Sequence, residues 1–296
     1  MTTIPFAKMV GTGNDFIIVE ANRHRLRGLQ GRWPAVSRAL CDRRRGIGAD
    51  GVLVLAHARA ADVTMRVFNP NGSEAAMCGN GARCVALYVE QARNGHSRRR
   101  PVTIQTMAGR LSATVRGDRV AMRMMDPVDV RLNQSILVDG RRTAFSFINT
   151  GVPHAVVPVA NLDRVDVSRI GRRIRLHRAF APEGANVNFI QAIAQPPPSI
   201  RIRTYERGVE EETPACGTGV VASAILHTLA RQLASARLRR SARNHRVAVT
   251  TRSGDRLTVS FVLDTAHRAP RVTEVVLEGA AHRVFDGSTP WPLRRS

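Results

Sequence analysis

The sequence predicts an α+β fold in which one unit is used twice. Each half of the 296-residue chain reads as short strands, one long helix midway, and further strands. Both helices open on the same pattern, Cys78-Gly79-Asn80-Gly81 in the first half and Cys216-Gly217-Thr218-Gly219 in the second. A hydrophobic content of 43% supplies the apolar material for two modest cores.

In the first half, "FAKMVGTGNDFIIVEA" gives strand, Gly-Asn-Asp turn, strand. "DGVLVLA" and "VTMRVFN" are strands, and "PNGSE" is a turn. "GNGARCVALYVEQARNG" places Ala82, Val85, Ala86 and Val89 at helical spacing, with Gly95 as the expected C-cap. Strands resume at "PVTIQTMAG", "LSATVRG" and "RVAMRMM". The second half repeats the order. "FSFINTGVPHAVVPV" and "GANVNFIQAI" are strand pairs, and "SIRIRTYERG" is a strand entered through a proline break. A helix over "GTGVVASAILHTLARQLAS" follows, then strands at "HRVAVTT", "RLTVSFVL" and "EVVLEG".

Composition narrows the function. No apolar run approaches the ~18 residues of a membrane span, so no membrane partner is expected. The N-terminal stretch lacks the basic and apolar regions of a secretory signal, and a cytoplasmic location is the expectation. Four cysteines without C-x-x-C spacing, and no H-E-x-x-H, argue against a metal site or a disulfide scaffold. The net charge of +22 raises nucleic-acid binding as a rival reading. Its basic residues are scattered along the chain, however, and aromatics make up only 4%, which leaves few stacking platforms. No specific nucleic-acid partner is expected. The chain has a single lysine, Lys8. Arginine cannot form the Schiff base that pyridoxal phosphate requires, so unless Lys8 is that residue, amino-acid chemistry here needs no cofactor.

A thiol at a helix start, followed by Gly-x-Gly, sits among unobstructed backbone N–H groups at the positive end of the helix dipole. Those groups favour a thiolate, and the expectation is a thiol pKa below the usual ~8.5. They also suit a ligand carboxylate, which can take up charge from the carbon beside it. Such a site is built to form a carbanion α to a carboxylate. Two copies make sense if a stereocentre is inverted, with a thiolate on one face and a thiol on the other, their sulfurs roughly 7 Å apart. Cys41 and Cys84 read instead as small buried hydrophobes. "GIGADG" matches G-x-G-x-x-G literally, but an arginine run precedes it and a strand follows, so it is no dinucleotide fingerprint.

At these residues the chain resembles the diaminopimelate epimerases. The matching stretches are "GTGNDF", "CDRRRGIGADG", "FNPNGSEAAMCGNGARC", "GVPH", "GANVNF" and "YERGVEEETPACGTG". The resemblance implies two pseudo-symmetric domains, each a mixed strand barrel wrapped around a central helix: 1–124 with 276–296, carrying Cys78, and 125–275, carrying Cys216. It implies interconversion of LL- and meso-2,6-diaminopimelate by a thiolate/thiol pair, without cofactor, in bacterial lysine and peptidoglycan precursor synthesis, by a homodimer. Cys78 and Cys216 resemble the acid–base thiols. Gly79, Asn80, Gly217 and Thr218 resemble the groups that hold the reacting carboxylate. Asn14, Asn69, Asn186, Glu206 and Arg207 resemble the remaining substrate contacts. Arg207 suits a distal carboxylate and Glu206 a distal ammonium. His154 in "GVPH" resembles a supporting histidine, and Glu206 shares that supporting role. The chain departs from many relatives at two binding positions, with Val152 in place of asparagine and Gly51 in place of glutamine. Proline and hydroxyproline racemases are the nearest alternative, but the resemblance to them is weaker, because their first cysteine motif carries histidine where this chain has Asn80.

Overall fold

The computed structural model describes residues 2–22, 24–93, 100–194, 198–234, 241–266 and 270–292. The chain divides into two compact units, residues 1–122 with 279–296 and residues 123–278.

In the first unit, β1 (Thr2–Gly11) and β2 (Asn14–Glu20) form an antiparallel hairpin. Its turn is tight because Thr12 and Gly13 both take positive φ, 52° and 75°. Helix α1 (Trp33–Cys41) then crosses to β3 (Gly51–Ala56), which lies parallel to β2. β4 (Val63–Phe68) pairs antiparallel with β3, and the short β5 (Glu74–Ala75) folds back on β4. Helix α2 (Gly79–Ala92) leads to β6 (Val102–Thr106), parallel to β4. β7 (Gly109–Arg116) and β8 (Arg119–Arg123) continue antiparallel. The chain returns at its end as β18 (His282–Trp291) to pair with β1.

The second unit repeats this scheme strand for strand. β9 (Val128–Val138) flanks β10 (Arg141–Asn149) as β18 flanks β1. β10 and β11 (Pro153–Pro158) form the hairpin. Helix α3 (Val167–Arg175) crosses to β12 (Asn186–Ile193), parallel to β11. β13 (Ser199–Glu206) pairs antiparallel with β12, and β14 (Glu211–Thr213) folds back on it. Helix α4 (Gly217–Ala234) leads to β15 (Ala242–Thr250), parallel to β13. β16 (Arg256–Asp264) and β17 (Arg271–Ala280) follow antiparallel. The duplication legible in the sequence is thus a duplication of topology, down to which pairs are parallel.

Each central helix is enclosed by its own strands. α2 packs on β1, β2, β4, β6, β7 and β18, and α4 on β10, β11, β12, β13, β15 and β16. Enclosure explains why α2 is buried continuously from Asn80 to Leu87, where a surface helix would show one apolar stripe. In α4, Val220, Val221, Ala224, Ile225 and Leu229 join Val249, Val259 and Leu277 in one core. Each of the valines, leucines and Ile225 contributes about 1.5–3 kcal/mol on full burial, and Ala224 less.

The structure departs from the sequence expectation in its crossover helices and in two strands, β9 and β18, where no strand was expected. Each unit has a second, shorter helix, α1 or α3, as its β–α–β crossover. In α3, Val167, Ile170, Gly171 and Ile174 recur at helical spacing, with Val167, Gly171 and Ile174 buried and Arg169, Arg172 and Arg173 exposed. The C-cap expected at Gly95 lies outside the described residues, and α2 ends at Ala92. Among the described residues no helix is long and apolar enough to cross a membrane.

Candidate active site

Both cysteines stand where a strand-side loop turns into a central helix. Cys78 is the N-cap of α2: its backbone is extended at φ −140°, and its sulfur accepts from the Gly81 N–H at 3.4 Å. This is the bond a serine or aspartate cap would make. Cys216 immediately precedes α4. Its carbonyl accepts the Val220 N–H at 2.9 Å, and its sulfur lies 3.4 Å from Thr218 Oγ1.

The glycines of the two motifs have different tasks. A Cβ on Gly79 would meet no atom of the described residues within 4 Å, and one on Gly217 would meet only Leu277 Cδ2, at 3.4 Å. The first glycine of each motif therefore leaves room beside the sulfur. The second glycine of each is a packing requirement. A Cβ on Gly81 would stand 2.9 Å from Leu53 Cδ2, and one on Gly219 would collide with Asn188 Oδ1.

The thiol expectation needs correction at Cys216. Its pKa is pushed up to about 12, first by burial and then by the charge of Glu206. Hydrogen bonds from Thr218 and the Gly219 backbone favour the thiolate, but they do not outweigh removal of the sulfur from water. Burial thus favours the neutral thiol at Cys216. The Glu206 carboxyl is itself raised by burial. Cys84 is likewise pushed up to about 12, and Cys41 is raised, in both cases chiefly by burial.

In the first unit, Asn14 and Asn80 are joined directly, Asn80 Nδ2 donating to Asn14 Oδ1 at 2.7 Å. Asn14 Nδ2 donates to Asp50 Oδ2 at 3.0 Å. Asn80 also donates to the Thr12 carbonyl at 3.4 Å, and its Oδ1 accepts from Arg83 Nη2 at 2.6 Å. Gly51 opens β3, and a Cβ there would lie 3.0 Å from the Phe68 carbonyl. Asn69 sits in the turn after β4, with Nδ2 bonded to Ser73 Oγ at 2.9 Å. Lys8, the single lysine, is buried, ion-paired to Asp15 at 2.6 Å and bonded to the Gly48 carbonyl. Burial alone would raise the Asp15 carboxyl, but Arg43 and Lys8 hold it well below the usual carboxylate range.

The second unit gathers the rest. His154 faces Asn186 across the β11–β12 pair, and both are buried. Asn186 Nδ2 donates to the Pro153 carbonyl at 3.2 Å, and its Oδ1 accepts the Arg207 N–H at 2.8 Å. The Arg207 guanidinium pairs with exposed Glu183 at 3.2 Å. Val152 lies in the β10–β11 turn, its carbonyl accepting the Thr150 N–H at 3.2 Å. Thr150 Oγ1 in turn donates to the Thr218 carbonyl at 3.1 Å, tying that turn to the start of α4.

Asn188, which the sequence reading left out of the site, links these parts. Asn188 Nδ2 donates to the Ala155 carbonyl at 3.4 Å and Thr204 Oγ1 donates to Asn188 Oδ1 at 3.0 Å; the carbonyl, which only accepts, makes Nδ2 the end that meets His154 Nδ1, also at 3.0 Å. Since the imidazole is buried and its pKa is lowered to about 3 by burial and by Arg207, it is neutral. Nδ1 accepts, so the proton sits on Nε2. The signal for Asn188 was available: it stands two residues after Asn186 in "GANVNF", on the same face of a strand.

The chain is similar to several known proteins. The family model described as diaminopimelate epimerase matches residues 6–130 and 146–278. A diaminopimelate epimerase of Aquifex aeolicus is 37% identical over 291 residues, covering 95% of this chain and 96% of that relative. One of Methanocella arvoryzae is 38% identical over 298 residues, covering 97% of each. Among solved structures, a phenazine biosynthesis protein of the PhzF family from Bacillus anthracis aligns with a TM-score of 0.66 at 19% identity, covering 98% of this chain and all of that one. A hydroxyproline epimerase from Agrobacterium vitis aligns at 0.62 and 19% identity, covering 98% and 91%. These structural likenesses establish the fold, and the sequence matches establish the lineage. The chain is an isomerase-type epimerase and belongs to the diaminopimelate epimerase family.

Proposed function

We propose that this protein interconverts LL- and meso-2,6-diaminopimelate, using Cys78 and Cys216 as its acid–base pair and no pyridoxal phosphate. The observation that carries the reading is the duplication itself: each unit starts its enclosed central helix at a cysteine followed by Gly-x-Gly. A single base returns a proton to the face it came from, whereas inversion needs a base on one face and an acid on the other.

In one direction the Cys78 thiolate takes the α-proton, and the C–H electron pair delocalises into the adjacent carboxylate. The Cys216 thiol then delivers its proton to the opposite face. Cys78 ends as thiol and Cys216 as thiolate, and the reverse reaction starts from that state. Burial of Cys216, which disfavours its thiolate, suits the proton-donor role. The N–H groups at the helix starts, from Gly79, Asn80, Gly217 and Thr218, take the reacting carboxylate and stabilise the charge that develops there. Asn14, Asn69, Asn186 and Arg207 belong to substrate binding, with Arg207 on the distal carboxylate. Glu206 serves the distal ammonium and the proton balance of Cys216, and His154 supports the thiol chemistry. Gly51 and Val152 bring no side-chain hydrogen bond to this set. The two domains, a homodimer in the cytoplasm, and a place in lysine and peptidoglycan precursor synthesis are parts of the same reading.

The test is replacement of each thiol. Cys78→Ala and Cys216→Ala should each lower LL-to-meso inversion by at least about 10³-fold, a typical worth for a positioned acid or base. Inversion at the parental rate in either variant refutes the pair.

A further inference from the structure

We propose that Arg83 and Asp50 are positioning residues, the two ends of a one-way hydrogen-bond chain that orients both amides of the first unit's site and makes Asn14 a donor toward the ligand. The chain runs Arg83 Nη2 to Asn80 Oδ1 at 2.6 Å, Asn80 Nδ2 to Asn14 Oδ1 at 2.7 Å, and Asn14 Nδ2 to Asp50 Oδ2 at 3.0 Å.

Its direction follows from the chemistry of its ends. A guanidinium only donates and a carboxylate only accepts. Asn80 must therefore turn its oxygen to Arg83, which sends its nitrogen to Asn14. Asn14 in turn must give its oxygen to Asn80 and its nitrogen to Asp50. Reversing either amide would set N–H against guanidinium or oxygen against carboxylate. An asparagine amide alone has no such preference.

Both ends are fixed. Arg83 is fully buried, and its Nη2 also donates to Thr12 Oγ1 at 2.6 Å. Asp50 accepts from Arg43 Nη2 at 2.8 Å and from the Asp15 N–H at 3.2 Å. Asp15 is pinned by Lys8 and Arg43. The lone lysine and the "GIGADG" stretch thus act on the site through Asn14.

Two consequences follow. The Asn80 side chain is used up, with its two amide hydrogens on the Thr12 carbonyl and Asn14, so Asn80 offers an anion its backbone N–H. Asn14 keeps one Nδ2 hydrogen while its oxygen is engaged, so it suits a carboxylate oxygen and not an ammonium. This assignment rests on the proposed function, in which the ligand is an amino-acid carboxylate.

Either end alone fixes the direction, so the test is the double variant Arg83→Gln/Asp50→Asn, in which only neutral amides remain at the ends and Asn14 and Asn80 can reverse. Asp50→Asn alone is isosteric and exchanges the charged acceptor of Asn14 Nδ2 for a neutral one; if the double variant fails to fold, it decides alone. In asparagine-labelled protein without substrate, the ¹H–¹⁵N side-chain signals of both Asn14 and Asn80 should move in the double variant, and that of Asn14 in Asp50→Asn. In the double variant KM for LL-diaminopimelate should rise about five- to tenfold, the worth of one hydrogen bond, with kcat within about twofold. Unmoved amide signals in Asp50→Asn overturn the chain whatever the kinetics. Moved signals with unchanged KM overturn the donor role of Asn14. Failure of the parental enzyme to invert diaminopimelate would sink the functional reading, while the amide spectra would still decide the chain.

Discussion

Cys216 should titrate as a strongly suppressed acid, and the size of the effect can be worked out. With its pKa at about 12, roughly one molecule in 10⁴ carries a thiolate there at pH 8, against roughly one in four for an ordinary thiol. The assay is alkylation by iodoacetamide in the Cys78→Ala background, read at the peptide carrying Cys216. Slow access to a buried sulfur would lower every rate alike, so the informative quantity is the pH dependence. The rate should climb about tenfold per pH unit from 7 to 10.5 without levelling. Glu206→Gln removes the second cause of the suppression but not the first, burial, so the curve should shift to lower pH yet still lie above an ordinary thiol's. Stability follows the same sign. The unfolded chain loses this proton first, near pH 8.5, so the contribution of Cys216 to stability declines as pH rises from there. A plateau at or below pH 9, or a Glu206→Gln curve that does not move, would refute the reasoning.

The glycines and Arg207 give further expectations. Gly219→Ala forces a Cβ onto Asn188 and should cost about 1–3 kcal/mol, seen as a Tm lower by several degrees. Gly79→Ala should leave Tm within about a degree, since nothing in the described residues meets its Cβ, yet depress turnover; equal Tm losses would contradict the division of labour. Arg207→Ala should raise KM for diaminopimelate about ten- to hundredfold, as loss of a charged hydrogen-bond partner does. An unchanged KM would remove Arg207 from the distal carboxylate.

Much of the fold was legible because glycine and proline punctuate alternating strands and because both central helices announce themselves with Cys-Gly-x-Gly. The crossover helices were not. α3 carries helical spacing at Val167, Ile170 and Ile174, but it buries Gly171 where a core side chain is expected, because a Cβ there would lie 2.5 Å from Tyr205 Cβ, and a glycine inside a short segment reads as a breaker. The site was legible at its thiols but not in their protonation. The sequence shows helix-start donors, which favour thiolate, and cannot show how deeply the sulfur is buried, which for Cys216 decides the balance. Nor does a motif tell which asparagines spend their amides on the protein. Asn80 does so through Arg83 and Thr12, partners 3 and 68 positions away.

The central claim is best tested by a single turnover of LL-diaminopimelate in heavy water, resolving product and unreacted substrate by stereoisomer. Two thiols of opposite role predict that the meso product carries deuterium at the inverted carbon from the first turnover, while recovered LL substrate is still protiated. Deuterium entering both isomers equally, or product keeping its original proton, would contradict it.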